Sequence, residues 1–425
     1  MWVFIIHPLF IIGVRGMAKT AGLTSLLIDN SAAHYLTVCI LSYIFAVFII
    51  KIRKIKKPST FIKGRAWIEL DMNNLRHNVS VLRNILPNGC ELMPAVKANA
   101  YGHGAAEICK ELNNLGIRAF CVASVVEGVE LRKKRIKGDI LILGYTHPEQ
   151  FYLLRRYRLT QTVIDYKYAE MMNCYGKKLK AHIKIDTGMK RLGEPSQNIG
   201  NILKIFTFKN LNTKGIYTHF SAQNNGFTQT QVNNFTDVLS LIKEQKFSIP
   251  MTHTQSSYGV LSRPDLTCDY ARIGLALYGT YYDTDNTESH ADFKPVLSVK
   301  ARISAVKSIS AGEAVGYGSV FTAPDDMKTA VLSVGYADGV PRSLSCGVGS
   351  VLINGVIAPI VGYVCMDQII VDVTNIFDVK QNDIAIIIGN DGMKEITVID
   401  IAKRIGTVPN EILSRLGVRL ERHKI

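Results

Sequence analysis

Hydrophobic and polar positions along this chain follow two periods that alternate, then settle into one. Leu92–Val96, Phe120–Ala123, Ile140–Leu143, Thr162–Ile164, His182–Ile185, Gly215–Thr218, Met251–Thr254 and Arg272–Ala276 are short apolar runs that read as strands. Helical spacing fills several gaps between them. Leu75, Val79, Leu82 and Leu86 share one face, as do Ala105, Ile108, Leu112 and Leu115, with Gly116 placed to end that helix. Val232, Phe235, Leu239 and Ile242 make a third such face. Eight strands alternating with helices over roughly 210 residues predict an α/β fold, a (β/α)8 TIM-type barrel. After about Ser289 the helical period fades. Val296–Val306, Thr329–Val334, Ser350–Ile353, Val356–Val361, Ile369–Val373 and Ile384–Ile388 read as strands between Gly and Pro turns, an all-β C-terminal domain closed by a short helix at Val398–Ile405.

The first sixty residues differ in character. Ala32 to Ile50 is nineteen residues without a formal charge, long enough at 1.5 Å per residue to cross a bilayer core. Lys51, Arg53, Lys54, Lys56, Lys57, Lys63 and Arg65 follow within fifteen residues that hold no Asp or Glu. Basic residues after an apolar run predict a transmembrane segment with its N-terminus outside and everything beyond Lys51 in the cytoplasm. A second apolar run, Trp2 to Val14, is broken by His7 and Pro8 and stopped by Arg15, and resembles the remainder of a longer membrane domain. The expected domains are thus a membrane segment over 1–57, a barrel over 58–290 and a β domain over 291–425.

Composition changes this picture little. The net charge of +15 invites a nucleic-acid reading, but the excess outside the basic run is diffuse and no nucleic-acid motif occurs, so none is expected to bind. The eight cysteines are scattered, form no C-x-x-C pair and match no zinc spacing, which predicts reduced thiols and no metal.

The most informative string is Pro94-Ala95-Val96-Lys97-Ala98-Asn99-Ala100-Tyr101-Gly102-His103-Gly104. It puts Lys97 at the C-terminal end of the first barrel strand, where barrel enzymes place catalytic groups. A partly desolvated lysine there can lose its proton and form a Schiff base with an aldehyde cofactor. Position alone leaves open an ordinary surface lysine before a glycine-rich turn.

The string closely resembles the cofactor-attachment motif of the alanine racemase family, and the resemblance runs from about Ala66 to the C-terminus. It implies a pyridoxal 5′-phosphate enzyme in which Lys97 carries the cofactor and Tyr101 contacts its phosphate. In the segment His182 to Arg191 it gives Arg191 the cofactor's phenolic oxygen and the substrate, and makes Lys184 a lysine that is often carbamylated. His219 would stack on the pyridine ring, and Arg272 would face its nitrogen. Ser256, Gly274 and Leu275 would complete the phosphate contacts, in the last two barrel loops where such enzymes commonly bind phosphate.

Racemisation needs acid/base groups on opposite faces of Cα. The resemblance supplies Tyr317, within Ala314 to Ser319, as the partner of Lys97. It makes Tyr336 an entrance residue, and it places Cys365, Met366 and Asp367 at the substrate end of the other subunit's site, implying a homodimer. One position departs from the family: Val418 stands where a tyrosine is usual, which would enlarge the pocket enough to admit serine beside alanine. The apolar segment, basic link and racemase body resemble membrane-bound serine/alanine racemases of the vancomycin-resistance type, which implies D-amino acid supply for peptidoglycan. Two other readings remain: a decarboxylase on the same barrel, with a pocket for a longer side chain, and a sensor that binds without turnover, against which the β domain argues.

Overall fold

The computed structural model describes all residues except 1, 28–30, 56–62, 222–224, 264, 281–290 and 393. The chain divides into two units, Met1–Lys63 and Gly64–Ile425. The first consists of helices at Trp2–Thr20, Thr24–Leu27 and Ser31–Ile55. The two long ones pack as a hairpin, with the rings of Phe10 and Phe45 edge to face at 5.5 Å. The backbone thus stays helical through His7 and Pro8, where the sequence suggested a break. Among the described residues no helix is long and apolar enough to cross a membrane. The transmembrane segment expected at Ala32–Ile50 is therefore not supported. Its side chains at 46 and 48–50 lie outside the described residues, and the described remainder is too short an apolar run.

The second unit opens with β1 (Ala66–Leu70), buried along its whole length. It is followed by the barrel strands β2 (Glu91–Leu92), β3 (Ala119–Val122), β4 (Asp139–Ile142), β5 (Thr160–Val163), β6 (Leu179–Asp186), β7 (Leu211–Tyr217), β8 (Met251–His253) and β9 (Tyr270–Ala271). Strands β3 to β8 pair in parallel in chain order, and β9 pairs with β2. Bridges between Ala95 and Cys121 and between Ser256 and Arg272 close the ring. Seven of these strands overlap the runs expected from the sequence; the eighth, Tyr270–Ala271, lies just before the expected Arg272–Ala276, whose end turns into the short helix Leu275–Tyr278. Leu75, Val79 and Leu82 are buried on the first helix, Met72–Ile85, whose N-terminus is capped by the Asp71 carboxylate accepting from Asn73 and Asn74.

Then come β10 (Leu297–Ile309), β11 (Met327–Leu332), β12 (Ser350–Ile353), β13 (Val356–Pro359), β14 (Ile369–Asp372), β15 (Ile384–Asn390) and β16 (Glu421–Lys424). They form one sheet in the order β13-β12-β15-β10-β1-β16, with β11 joining β10 to β14. Strand β1 falls within the stretch 58–290 assigned to the barrel from the sequence, yet lies inside this sheet, antiparallel to β10 and parallel to β16. The helix at Val398–Ile405 is present, with a capping box made by Thr397 and Asp400.

Asn78, fully buried on the first helix, ties the barrel to the segment entering the β domain. Its amide donates to the carbonyls of Leu277 at 3.1 Å and Lys294 at 2.8 Å, and its oxygen accepts from the Lys294 N–H at 2.8 Å. Asn78→Ala leaves those groups without a partner, and unfolding should become easier by about 1–3 kcal/mol. A urea midpoint unchanged from wild type would refute that account of the junction.

Candidate functional site

Lys97 begins a turn of unusual backbone. Ala98, Asn99, Ala100 and Tyr101 have φ of 50°, 55°, 56° and 51°, four successive residues in the left-handed region that L-amino acids avoid. The short side chains of Ala98, Asn99 and Ala100 limit the steric cost, and hydrogen bonds hold the turn. The Glu127 carboxylate accepts from Ala98 N–H at 2.7 Å, and the Asn99 side chain accepts from Ala105 N–H at 2.8 Å. Arg422, from β16, donates to the Gly102 carbonyl at 2.9 Å. Glu127 also accepts from Ala123 N–H at 2.7 Å and closes a capping box with Ser124, so one carboxylate fastens the Lys97 turn to the next βα loop.

The turn opens into a cavity of about 560 Å³ at the C-terminal end of the barrel. Lys97, Tyr101, Lys184, Arg191, His219, Ser256, Arg272, Gly274 and Leu275 all line it, so the structure brings together every barrel residue singled out from the sequence. Among the described residues that line it, four are Lys or Arg and none is Asp or Glu, a composition that suits an anionic ligand. On one wall Gly274 lets Tyr101 approach: a Cβ there would sit 3.0 Å from the phenol oxygen. Ser257, not singled out from the sequence, accepts from Gly274 N–H at 2.9 Å. Its neighbour Ser256 caps the helix Ser257–Ser262 by accepting from Gly259 N–H. Hydroxyls, a phenol and the start of the short helix Leu275–Tyr278 together could hold a phosphate.

Arg272 is buried on β9's extension and meets only neutral acceptors. It donates to the carbonyls of His253 at 2.6 Å and Thr218 at 2.7 Å, and to His253 Nδ1 at 2.7 Å. A guanidinium only donates, so His253 Nδ1 is the acceptor and its Nε2 carries the proton. That Nε2 then donates to His182 Nδ1 at 2.8 Å, a neutral relay across the barrel interior. Tyr217 packs flat on His253 at 4.4 Å and lies under the Arg272 guanidinium at 4.8 Å. Lys184 is lowered to about 8, by burial first and then by Arg191 and Arg272. A lysine neutral near that pH has the free amine that carbamylation needs. Among the described residues no group of three or more His, Cys, Asp or Glu could hold a metal ion.

Of the β domain, Asn410 lines this cavity, but the residues singled out there from the sequence do not. Tyr317 is 74% exposed, on a turn between Gly316 and Gly318 that packs against Gly362 and Tyr363. Tyr336 and Met366 come together through their backbones, Tyr336 N–H donating to the Cys365 carbonyl and Ala337 N–H to that of Met366, both at 3.0 Å. Asp338, fully buried, anchors this pair of turns: its carboxylate takes two bonds from Arg65, at 2.6 and 3.0 Å, and one from Gly335 N–H. Arg419 bonds Asp367 at 2.6 Å and reaches Asp338 at 3.4 Å. Val418 is 90% exposed and stands outside the cavity of its own chain. Glu127, His253, Ser257 and Asp338 escaped the sequence reading. Ser124 with Glu127 spells a capping box and signalled one of them; the others carry no pattern that sets them apart.

Both parts of the second unit match a known family. Residues 70–282 match the model of the alanine racemase N-terminal domain, and 296–424 that of its C-terminal domain. An amino-acid racemase of Enterococcus faecalis is 42% identical over 95% of this chain and 58% of its own length. A serine/alanine racemase of Enterococcus gallinarum is 33% identical over 99% of the chain and 60% of its own length. The chain thus spans about three fifths of these curated relatives. The structure of an alanine racemase from Clostridium difficile 630 superposes with a TM-score of 0.82 at 31% identity, covering 86% of this chain and 97% of that one. An alanine racemase from Bartonella henselae with covalently bound pyridoxal phosphate gives 0.75 at 30% identity, covering 85% and 100%.

Burial lowers His103 and His182 to about 4 and His219 to about 3, and holds His253 well below its usual value. In the unfolded chain each titrates near 6.5, so on acidification the unfolded state takes up protons that the folded state refuses. Stability should fall from pH 6.5 to 5, by up to about 1.4 kcal/mol per pH unit for each histidine. Urea titrations across that range test this, and a flat profile would show the relay to be charged.

Proposed function

The chain belongs to the alanine racemase family, and on that footing we propose that it interconverts the L and D forms of alanine or serine, with pyridoxal 5′-phosphate attached at Lys97. The observation that carries this reading is the Lys97 amine at the mouth of a cavity lined by Lys184, Arg191 and Arg272 and, among the described residues, by no carboxylate, with the Tyr101, Ser257 and Gly274 wall beside it. The donor set fits the cofactor's phosphate and aldehyde. When bound, the cofactor supplies an electron-withdrawing ring that acidifies the substrate's Cα–H bond.

The chain's own residues do the rest. Arg191 binds the substrate carboxylate beside Lys184, whose carbamate would offset the arginine's charge. Arg272 is held by His253 and Thr218 and can only donate, so it offers the cofactor ring no proton acceptor and favours return of the proton to Cα over side reactions. His219, kept neutral by burial and by its cationic neighbours, presents a flat face for stacking. The Lys97 amine moves the proton on one face of Cα and the Tyr317 phenol on the other.

Tyr317 lies away from the Lys97 cavity of its own chain, and this supports a homodimer in which Tyr317, Tyr336 and the Cys365–Met366–Asp367 turn complete the partner's site. Localisation at the cytoplasmic face of a membrane, supplying D-amino acid to peptidoglycan precursors, rests on the sequence alone, through the basic run from Lys51 to Arg65; fractionation of cells making the full chain tests it.

The full chain with cofactor should form D-alanine or D-serine from the L enantiomer, resolved by chiral chromatography. Lys97→Ala should lose cofactor absorbance and activity, and Tyr317→Phe should keep the absorbance and lose activity. Mixing the two inactive variants tests the shared site. Half the exchanged dimers pair one intact Lys97 with one intact Tyr317 across the interface, so about a quarter of wild-type activity should return. If none returns on subunit exchange, the sites are not shared.

A further inference from the structure

Two thiols that no part of the racemase reading uses face each other at the other end of the barrel. Cys90 and Cys268 are 178 residues apart in sequence, yet their Sγ atoms lie 3.8 Å apart. Cys90 directly precedes β2, and Cys268 lies two residues before β9. These two strands pair in parallel, Glu91 beside Tyr270 and Leu92 beside Ala271, and their pairing closes the barrel. The thiols therefore sit at the N-terminal end of that seam, on the rim opposite Lys97. Both are half-buried, within reach of small solutes. The register sets Cys90 against Asp269, so Cys268 is one residue along; a strand spacing of about 4.8 Å and a rise of about 3.3 Å per residue put the two Cα atoms about 6 Å apart, inside the about 4.4–6.8 Å that a disulfide spans. Rotation of the two side chains is enough to bring the sulfurs to bonding distance.

We propose that Cys90 and Cys268 form a disulfide when the protein meets a hydroperoxide, a reversible staple across the seam of the barrel. Cys268 is the attacking sulfur. The two sulfurs share a contact that either can donate; with Cys90 as donor, Cys268 is lowered and Cys90 raised, and on loss of its proton Cys268 gives up the 3.1 Å hydrogen bond it donates to the Tyr270 carbonyl. The Cys268 thiolate attacks the O–O bond, taking one oxygen as a sulfenic acid, and the other oxygen leaves with a proton as water or alcohol. The Cys90 sulfur then displaces the hydroxyl from the sulfenic sulfur, forming the S–S bond and releasing water. Two thiols lose two electrons and two protons, and the hydroperoxide is reduced by the same two electrons.

The staple would fix more than the rim. Ladder bonds continue along the seam from Glu91 N–H to the Asp269 carbonyl at 2.9 Å, Met93 to Ala271 at 2.8 Å and Ala95 to Ile273 at 2.7 Å. These two runs of chain lead directly to Lys97 on one side and to Arg272 and Gly274 on the other. A bond at the rim closes a long loop in the unfolded chain, which favours the folded state.

The full-length protein is treated with hydrogen peroxide, its remaining thiols are blocked with N-ethylmaleimide, and its peptides are mapped by mass spectrometry without reduction. A Cys90–Cys268 cross-linked peptide is expected, with a rise in melting temperature that dithiothreitol reverses. In Cys90→Ser the sulfenic acid on Cys268 should persist and be trapped by dimedone, and the rise in melting temperature should vanish. Recovery of both cysteines in wild type as maleimide adducts, or as separately oxidised acids without a cross-link, overturns the proposal. Because the decisive reading is made on wild type, poor folding of the variant does not spare it.

Discussion

The site depends on a backbone conformation that the chain would avoid if left to itself. A left-handed turn costs an L-residue about 1–2 kcal/mol, and Ala98 to Tyr101 adopt four in succession. The cost is offset from three directions: Glu127 on the neighbouring βα loop, Asn99 within the turn, and Arg422 from the far end of the β domain. The result is a lysine whose backbone is fixed at the edge of the cavity. The contact from Arg422 also means that the barrel does not hold the Lys97 turn alone. The β domain reaches over the Gly102 carbonyl and completes the turn.

Charge in the cavity follows from the same construction. Lys97, Lys184, Arg191 and Arg272 converge with no carboxylate among the described lining residues, and their field adds to burial in depressing His219. Arg272 in particular spends its donors on carbonyls and a neutral imidazole, which orient it without cancelling its charge. A cavity so unbalanced stabilises an anion within it. The β-domain cluster shows the opposite arrangement: the buried charge of Asp338 is fully met by Arg65 and approached by Arg419, and the turns bearing Tyr336 and Met366 are held as a rigid pair.

Much of this was legible in the residues, for identifiable reasons. Strands β3 and β4 appear as short apolar runs, the later ones as β-like stretches with polar residues among them, and the helices between carry one apolar face, so β3 to β8 stand out in order. Val398–Ile405 was equally plain. Strand β1 was not, because a fully buried five-residue run looks the same whichever sheet receives it; its partners, β10 and β16, are remote in sequence. Between Ser256 and Ser257, which hydroxyl caps the helix and which turns to Gly274 depends on where the helix starts, to a single residue. The left-handed turn has no signature beyond small residues and an asparagine. The expected membrane span rested on hydropathy over side chains that fall partly outside the described residues.

Strand β1 bears on the order of events during synthesis. Trp67 is among the first residues of the racemase body to leave the ribosome, but its neighbours in the finished sheet are Lys300 on one side and Glu421 on the other. The barrel strands between them can pair as they emerge, each with the one before. β1 must wait through the whole of that assembly with an apolar, unpaired edge, which makes it the segment of the nascent chain most in need of protection from other chains.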